Sequence, residues 1–170
     1  QYQVAVMASQ GAGGPKDEAT AALYYKKSLQ TWKKEADDGD SKAALWAALV
    51  YERKLVPDSS PEKSVPYLLQ AAESGNLTAQ GLLAFKYRDG LGVPQDAAKA
   101  VEWFEKAASR KDLGAVMELG IMFRDGKYLP PDREKAFHWF EKGAEWKDPY
   151  SMAALADMLL EGTPSAEQAA

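Results

Sequence analysis

The residues able to do chemistry in this chain are few. His138 is the only histidine, and there is no cysteine. One imidazole without thiols supplies neither a metal site of the usual ligand count nor a Ser-His-Asp relay, and disulfides and a cysteine nucleophile are excluded. One catalytic pattern exists in letters: Ser60-Pro61-Glu62-Lys63 fits the S-x-x-K of serine β-lactamases. The S-D-N and K-T-G partners of that chemistry are missing, and Ser60 is equally a helix cap with Pro61 at the favoured first helical position. No G-x-x-x-x-G-K phosphate loop occurs. The expectation is a protein that is not an enzyme and has no catalytic residues, cofactor or metal.

The elements that would have to position such residues are helices. Residues 77–112 and 113–148 are one unit written twice without a gap, LTAQGLLAFKYRDGLGVPQDAAKAVEWFEKAASRKD and LGAVMELGIMFRDGKYLPPDREKAFHWFEKGAEWKD. A period of this size marks stacked helix hairpins, in which neighbours close the core for one another. Asp40, Asn76, Asp112 and Asp148 stand at 36-residue intervals, each a residue type that caps a helix start; Ser60, Asp96 and Asp132 form a second cap series at the same spacing. Gly90 and Gly126, followed by Pro94, Pro130 and Pro131, stop the first helix and bend the connection. The expected fold is all-α, a right-handed α-solenoid of antiparallel helix hairpins with a 36-residue period.

Residues 1–16 collect Gly11, Gly13, Gly14 and Pro15 and are expected to be an N-terminal tail. Residues 17–39 then form a capping helix, a half repeat. Repeats follow over 40–76, 77–112 and 113–148, with a C-terminal half repeat and frayed end over 149–170. In the first repeat Lys54 replaces the glycine, so its first helix is expected to run longer or end less sharply. Periodicity assigns Ala79, Leu83, Lys86 and Tyr87, and their counterparts Ala115, Leu119, Met122 and Phe123, to the core. In the second helices the core set is Ala100, Trp103, Phe104, Ala107 and Ala108, matched by Ala136, Trp139, Phe140, Gly143 and Ala144. His138 takes the position of Pro66 and Glu102, a solvent-facing one.

Composition narrows the function classes. Of 170 residues 46% are hydrophobic, which excludes general disorder, and a net charge of -4 gives no case for nucleic acid or an anionic membrane. No apolar run approaches the ~20 residues of a membrane helix. The partner is therefore expected to be a protein, with the chain itself a monomer. A start at Gln1 without methionine fits processing or trimming, and the location expected is periplasmic or exported after signal-peptide removal, with cytoplasmic as the alternative.

The second unit, with Ala79, Leu83, Tyr87, the RDG of 88–90 and LGVPQDAAKAVEWFEKAA, resembles the Sel-one-like repeat (SLR), a relative of the tetratricopeptide repeat. The third is similar in Ala115, Leu119-Gly120, Met122-Phe123, PPDREKAFHWFEKGAE and Asp148. The resemblance covers roughly residues 40–162 and implies an adaptor scaffold. Bacterial members include periplasmic signalling regulators, host-interaction factors and immunity proteins, so the partner it implies is a signalling protein or a toxin. Some cysteine-rich relatives were linked to β-lactam chemistry; the cysteines are absent here. The reading is a non-enzymatic protein-binding module; an immunity protein that neutralises a bacterial toxin and a structural part of an envelope assembly are the alternatives.

One stripe of the first helices lies beside the core face, where stacked hairpins would line a concave groove. It comprises Trp46, Leu49 and Arg53, then Leu82, Phe85 and Asp89, then Glu118, Ile121 and Asp125, and finally Asp157. Apolar at its start and acidic at its end, it is the expected partner-binding site. Packing of Trp46, Leu49 and Phe85 onto the second helices or the N-terminal cap is the competing reading. Asp89 and Asp125 also oppose the helix macrodipole in the last turn, so something must compensate them.

Overall fold

The computed structural model describes residues 1–12 and 14–161. Among them are nine helices and no strand: α1 (Tyr2–Gln10), α2 (Glu18–Asp37), α3 (Ser41–Glu52), α4 (Pro61–Glu73), α5 (Leu77–Asp89), α6 (Ala97–Ala108), α7 (Leu113–Asp125), α8 (Arg133–Glu145) and α9 (Pro149–Glu161). They divide between two compact units, Gln1–Asp96 with α1–α5 and Ala97–Ala170 with α6–α9, and within each unit consecutive helices pack on one another. The frayed end expected after Glu161 lies outside the described residues.

Caps set the starts of the helices. Asp40 accepts from the amides of Lys42 and Ala43, Asn76 from Ala79, Asp112 from Ala115, Asp132 from Lys135 and Asp148 from Ser151. Each bond satisfies a donor that the first helical turn leaves free. Ser60 departs from this pattern: it occupies the N-cap position of α4, yet its hydroxyl makes no capping bond among the described residues. The Ser60 hydroxyl beside Glu62, with the backbone amide of Glu62, instead holds that carboxyl below its ordinary value.

The N-terminal expectation needs correction. Residues 1–16 are not a tail, because α1 occupies most of them, with Ala5 fully buried and the Tyr2 ring 5.8 Å from Tyr25 and 5.4 Å from Trp32. The glycines end α1 rather than prevent it: Gly11 takes φ 72, Ala12 donates to the Met7 carbonyl, and Asp17 to that of Ala8. Asp17 then caps α2 through the Thr20 amide. Hence α2 is the second helix of a full hairpin and not a half repeat. It is 20 residues long, against 13 for α4.

First-helix ends follow the glycine pattern even where the glycine is absent. Gly90 and Gly126 close α5 and α7 at φ 72 and 66, and Lys54 adopts φ 53 in the same role, so α3 ends at Glu52 and does not run on. A side chain in this region costs ~1 kcal/mol, part of which glycine gives back through the freer unfolded chain. Lys54→Gly is therefore expected to raise unfolding stability by about 0.5 kcal/mol in urea titration; a loss would show that the Lys54 side chain contributes contacts outweighing the backbone strain.

Alternating small and aromatic residues build the core. In unit 2, Ala100, Trp103, Phe104, Ala107, Ala136, Trp139 and Phe140 are buried beside Leu119, Met122 and Phe123. Unit 1 buries Ala79, Leu83, Leu68 and Val50 and also a cation: Lys86 is 4% exposed, with Nζ 2.7 Å from Glu52 Oε1 and 3.1 Å from the Leu91 carbonyl. Ser64, fully buried, hydrogen-bonds to the same Glu52 oxygen. The Lys86 position on the core face is thus occupied by a charge that is paired, as burial demands.

Candidate protein-binding face

Unit 1 presents the first part of the stripe on α3 and α5. Leu49, Leu82 and Phe85 are half-buried, while their neighbours Ala48, Val50, Leu83 and Ala84 are fully buried. Arg53 is exposed at the end of α3. Trp46 is 39% exposed, but its ring is committed: it stacks on Trp32 at 5.8 Å and 23° and meets Tyr2 at 5.3 Å. The Trp46 ring therefore belongs to an aromatic cluster of α1, α2 and α3. Leu49 on α3 and Leu82 and Phe85 on α5 are apolar residues of the stripe that remain part-open, and the Arg88 guanidinium lies 4.8 Å from the Phe85 ring centre.

Unit 2 presents Glu118 and Ile121, half-buried, and the exposed Asp125 of α7, and separately the exposed Asp157 of α9. Ala154, which the same spacing places beside Asp157, is buried.

The compensation for the two last-turn acids is local. Arg88 Nε and Nη2 donate to the two carboxylate oxygens of Asp89 at 2.9 and 2.8 Å, and Arg124 Nε donates to Asp125 at 2.7 Å. A fork of this kind neutralises the acid where the helix dipole would oppose it. The RDG triplets thus serve helix ends first, and neither acid offers a bare charge to a partner.

The residues of types able to do chemistry each have a local setting. His138 is exposed, edge-on to Trp139 at 5.4 Å. The Lys63 ammonium is held by the carboxylate and carbonyl of Asp58. No metal-ligating cluster of His, Asp and Glu occurs among the described residues, and no helix there is long and apolar enough to cross a membrane.

Among the described residues, unit 1 includes a pair of surface cavities that sequence reasoning did not single out. One, of about 520 Å³, lies between the start of α2 and the loop after α3, lined by Glu18, Tyr25, Lys54 and Val56 among others. The second, of about 310 Å³, is lined by Gln1, Tyr2, Ser28, Thr31 and Trp32. A signal for the second was available in the 36-residue register, where Thr31 falls at the position of Tyr67, Trp103 and Trp139.

Helix hairpins recurring in tandem, with part-open apolar side chains on their first helices, define a helical-repeat protein of the kind that holds other polypeptides. The Sel1 repeat model matches residues 1–30, 42–76, 78–112, 114–145 and 149–170, and the chain belongs to the Sel1 repeat family. Sel1 repeats are in general protein-interaction modules. The first match, over 1–30, takes in α1 and agrees with a full N-terminal hairpin. No curated protein matches the chain.

Among solved structures, the chain is similar to a protective antigen of uropathogenic Escherichia coli strains that displays an SLR fold. The two are 28% identical over 95% of this chain and 33% of that one, with a TM-score of 0.73. A Sel1 repeat protein from Oxalobacter formigenes is 24% identical over 92% of this chain and 61% of its own, with a TM-score of 0.72. Cysteine-rich protein B of Helicobacter pylori is 23% identical over 82% of this chain and 100% of its own, at 0.59. The chain thus spans about a third of the first and three-fifths of the second of these proteins.

Proposed function

We propose that this chain is a non-enzymatic module that binds a protein partner through the part-open apolar residues of its first helices, the portion of a concave groove that each unit supplies by itself. The observation that carries this reading is on α5, where Leu82 and Phe85 stay half-buried on either side of fully buried Leu83 and Ala84. Leu49 and Arg53 of α3 extend the face in unit 1. In unit 2, Ile121 offers a further apolar contact and Glu118 and Asp157 an acidic one. Asp89 and Asp125 contribute as Arg-paired groups, so the contact chemistry there is that of an ion pair and not of a free carboxylate.

The test is Phe85→Ala. Against a partner recovered by co-purification and then titrated calorimetrically, the substitution is expected to weaken binding by ~2 kcal/mol or more with little change in melting temperature. Trp46→Ala is the internal contrast, since its stacking on Trp32 and Tyr2 predicts a loss of stability as well. Phe85→Ala lowering stability as much as binding would make Phe85 a core residue and defeat the assignment.

A further inference from the structure

Two departures from the repeat fall at one place. The residues after the second helices, Gly39, Gly75, Lys111 and Lys147, all take positive φ, at 97, 82, 64 and 63, and they set a common 36-residue register. In that register Thr31 stands where Tyr67, Trp103 and Trp139 stand, and Ser28 where Ser64, Ala100 and Ala136 stand. Trp103 and Trp139 are 7% and 9% exposed, so the repeat ordinarily fills this position with a ring. Thr31 does not, and the 310 Å³ cavity opens beside it.

The serine is the second departure. Ser64 has hydrogen-bond partners in Glu52 and the Pro61 carbonyl, and the alanines need none. Ser28 is 4% exposed, lines the cavity, and its Oγ has no hydrogen-bond partner among the described residues. An unfilled ring position and an unpaired buried hydroxyl both cost stability, and two such violations together are what a binding site looks like in an otherwise consistent repeat. Two walls are aromatic, Tyr2 and Trp32 at 5.4 Å between ring centres, and the other side chains lining the cavity, those of Gln1, Ser28 and Thr31, are polar and uncharged.

We propose that this cavity takes a tyrosine side chain of the protein partner, its ring in the place of the absent aromatic residue and its hydroxyl paired with Ser28 Oγ. Two rings tilted at 59° to one another and one buried hydroxyl match a phenol in both shape and hydrogen bonding. The inference rests on the protein-binding reading and adds the partner's chemistry to it.

The experiment titrates N-acetyl-tyrosinamide, N-acetyl-phenylalaninamide and methyl glucoside into the protein and follows the amide resonances of Ser28 and Thr31 and the indole of Trp32. The tyrosine probe is expected to bind with a Kd of about 1 mM and about fivefold better than the phenylalanine probe. Thr31→Trp should restore the repeat's own ring, raise the melting temperature and abolish probe binding. Ser28→Ala should keep ring binding and erase the preference for tyrosine. Binding of the glucoside alone would make the site a glycan site and overturn the proposal, as would tyrosine binding that survives Thr31→Trp. If the cavity rejects the tyrosine probe while Phe85→Ala still weakens partner binding, this inference falls and the first-helix face stands.

Discussion

Gly143→Ala is expected to destabilise the protein by about 2 kcal/mol, although alanine is the better helix former. Gly143 lies inside α8, where a propensity gain of ~1 kcal/mol would ordinarily follow the change. An added Cβ would lie 2.5 Å from Ser151 Cβ, closer still to Ser151 Oγ, and 3.3 Å from a Val116 methyl. Ser151 Cβ is fixed to the backbone of α9, so the clash cannot be relieved by a rotamer; α8 and α9 must separate. Ser151 is also fully buried and bonds to the buried Asp148 through both its amide (2.8 Å) and its hydroxyl (2.6 Å), so the displacement strains the cap of α9.

The partner position indicates the rescue. Ser151→Ala would remove the hydroxyl but keep the Cβ at 2.5 Å, so it relieves only part of the clash. Gly143→Ala combined with Ser151→Gly removes both atoms and should therefore lose less stability than the sum of the two single variants, the Ser151 change by itself costing ~1 kcal/mol for the hydroxyl bond and ~1 kcal/mol for a glycine in α9. Urea unfolding of the two single variants and the double closes the cycle. Additive effects, with no recovery in the double variant, would mean that Gly143 does not owe its identity to Ser151.

Much of the fold is legible in the sequence because a repeat states each rule several times. The stripe of Ala100, Trp103, Phe104 and Ala107 returns as Ala136, Trp139, Phe140 and Gly143, and a face that recurs at helical spacing is a buried face. The N-terminal helix was hidden for the opposite reason. Nothing within residues 1–16 repeats, and what holds α1 in place is the contact of Tyr2 with Tyr25, Trp32 and Trp46, all distant in sequence. The same cluster adds to what the sequence says of Trp46: helical spacing places it on the stripe, and only tertiary contact shows its ring stacked on Trp32.

For the candidate site, the strain of Asp89 and Asp125 against the helix dipole was visible, and its remedy was one residue away in Arg88 and Arg124. The rotamer that folds an arginine back onto its neighbour is not written in the spacing. The cavity beside Thr31 needed both sources, the register to show a ring missing and the structure to show Ser28 unpaired.

Lys86→Met is the second large expected effect, and it separates a pinned ion pair from a tolerated one. Met122 holds the equivalent position in the next repeat, 1% exposed, so methionine suits the space. What the substitution removes is the partner of Glu52 and the donor to the Leu91 carbonyl. A fully buried carboxylate stripped of its cation would cost about 3–5 kcal/mol, but the Glu52 side chain retains 28% exposure and the Ser64 bond, so water screens part of the loss. The expected destabilisation is about 2 kcal/mol by urea unfolding at neutral pH. Adding Glu52→Gln should return more than half of it, because the amide keeps a bond to Ser64 without carrying a charge. Full stability in Lys86→Met alone would show that Glu52 is solvated well enough without its partner. Lys86 would then be an apolar stem with a charged tip, and the link it makes from the end of α5 to the Leu91 loop would not be what holds Phe85 and Asp89 in position.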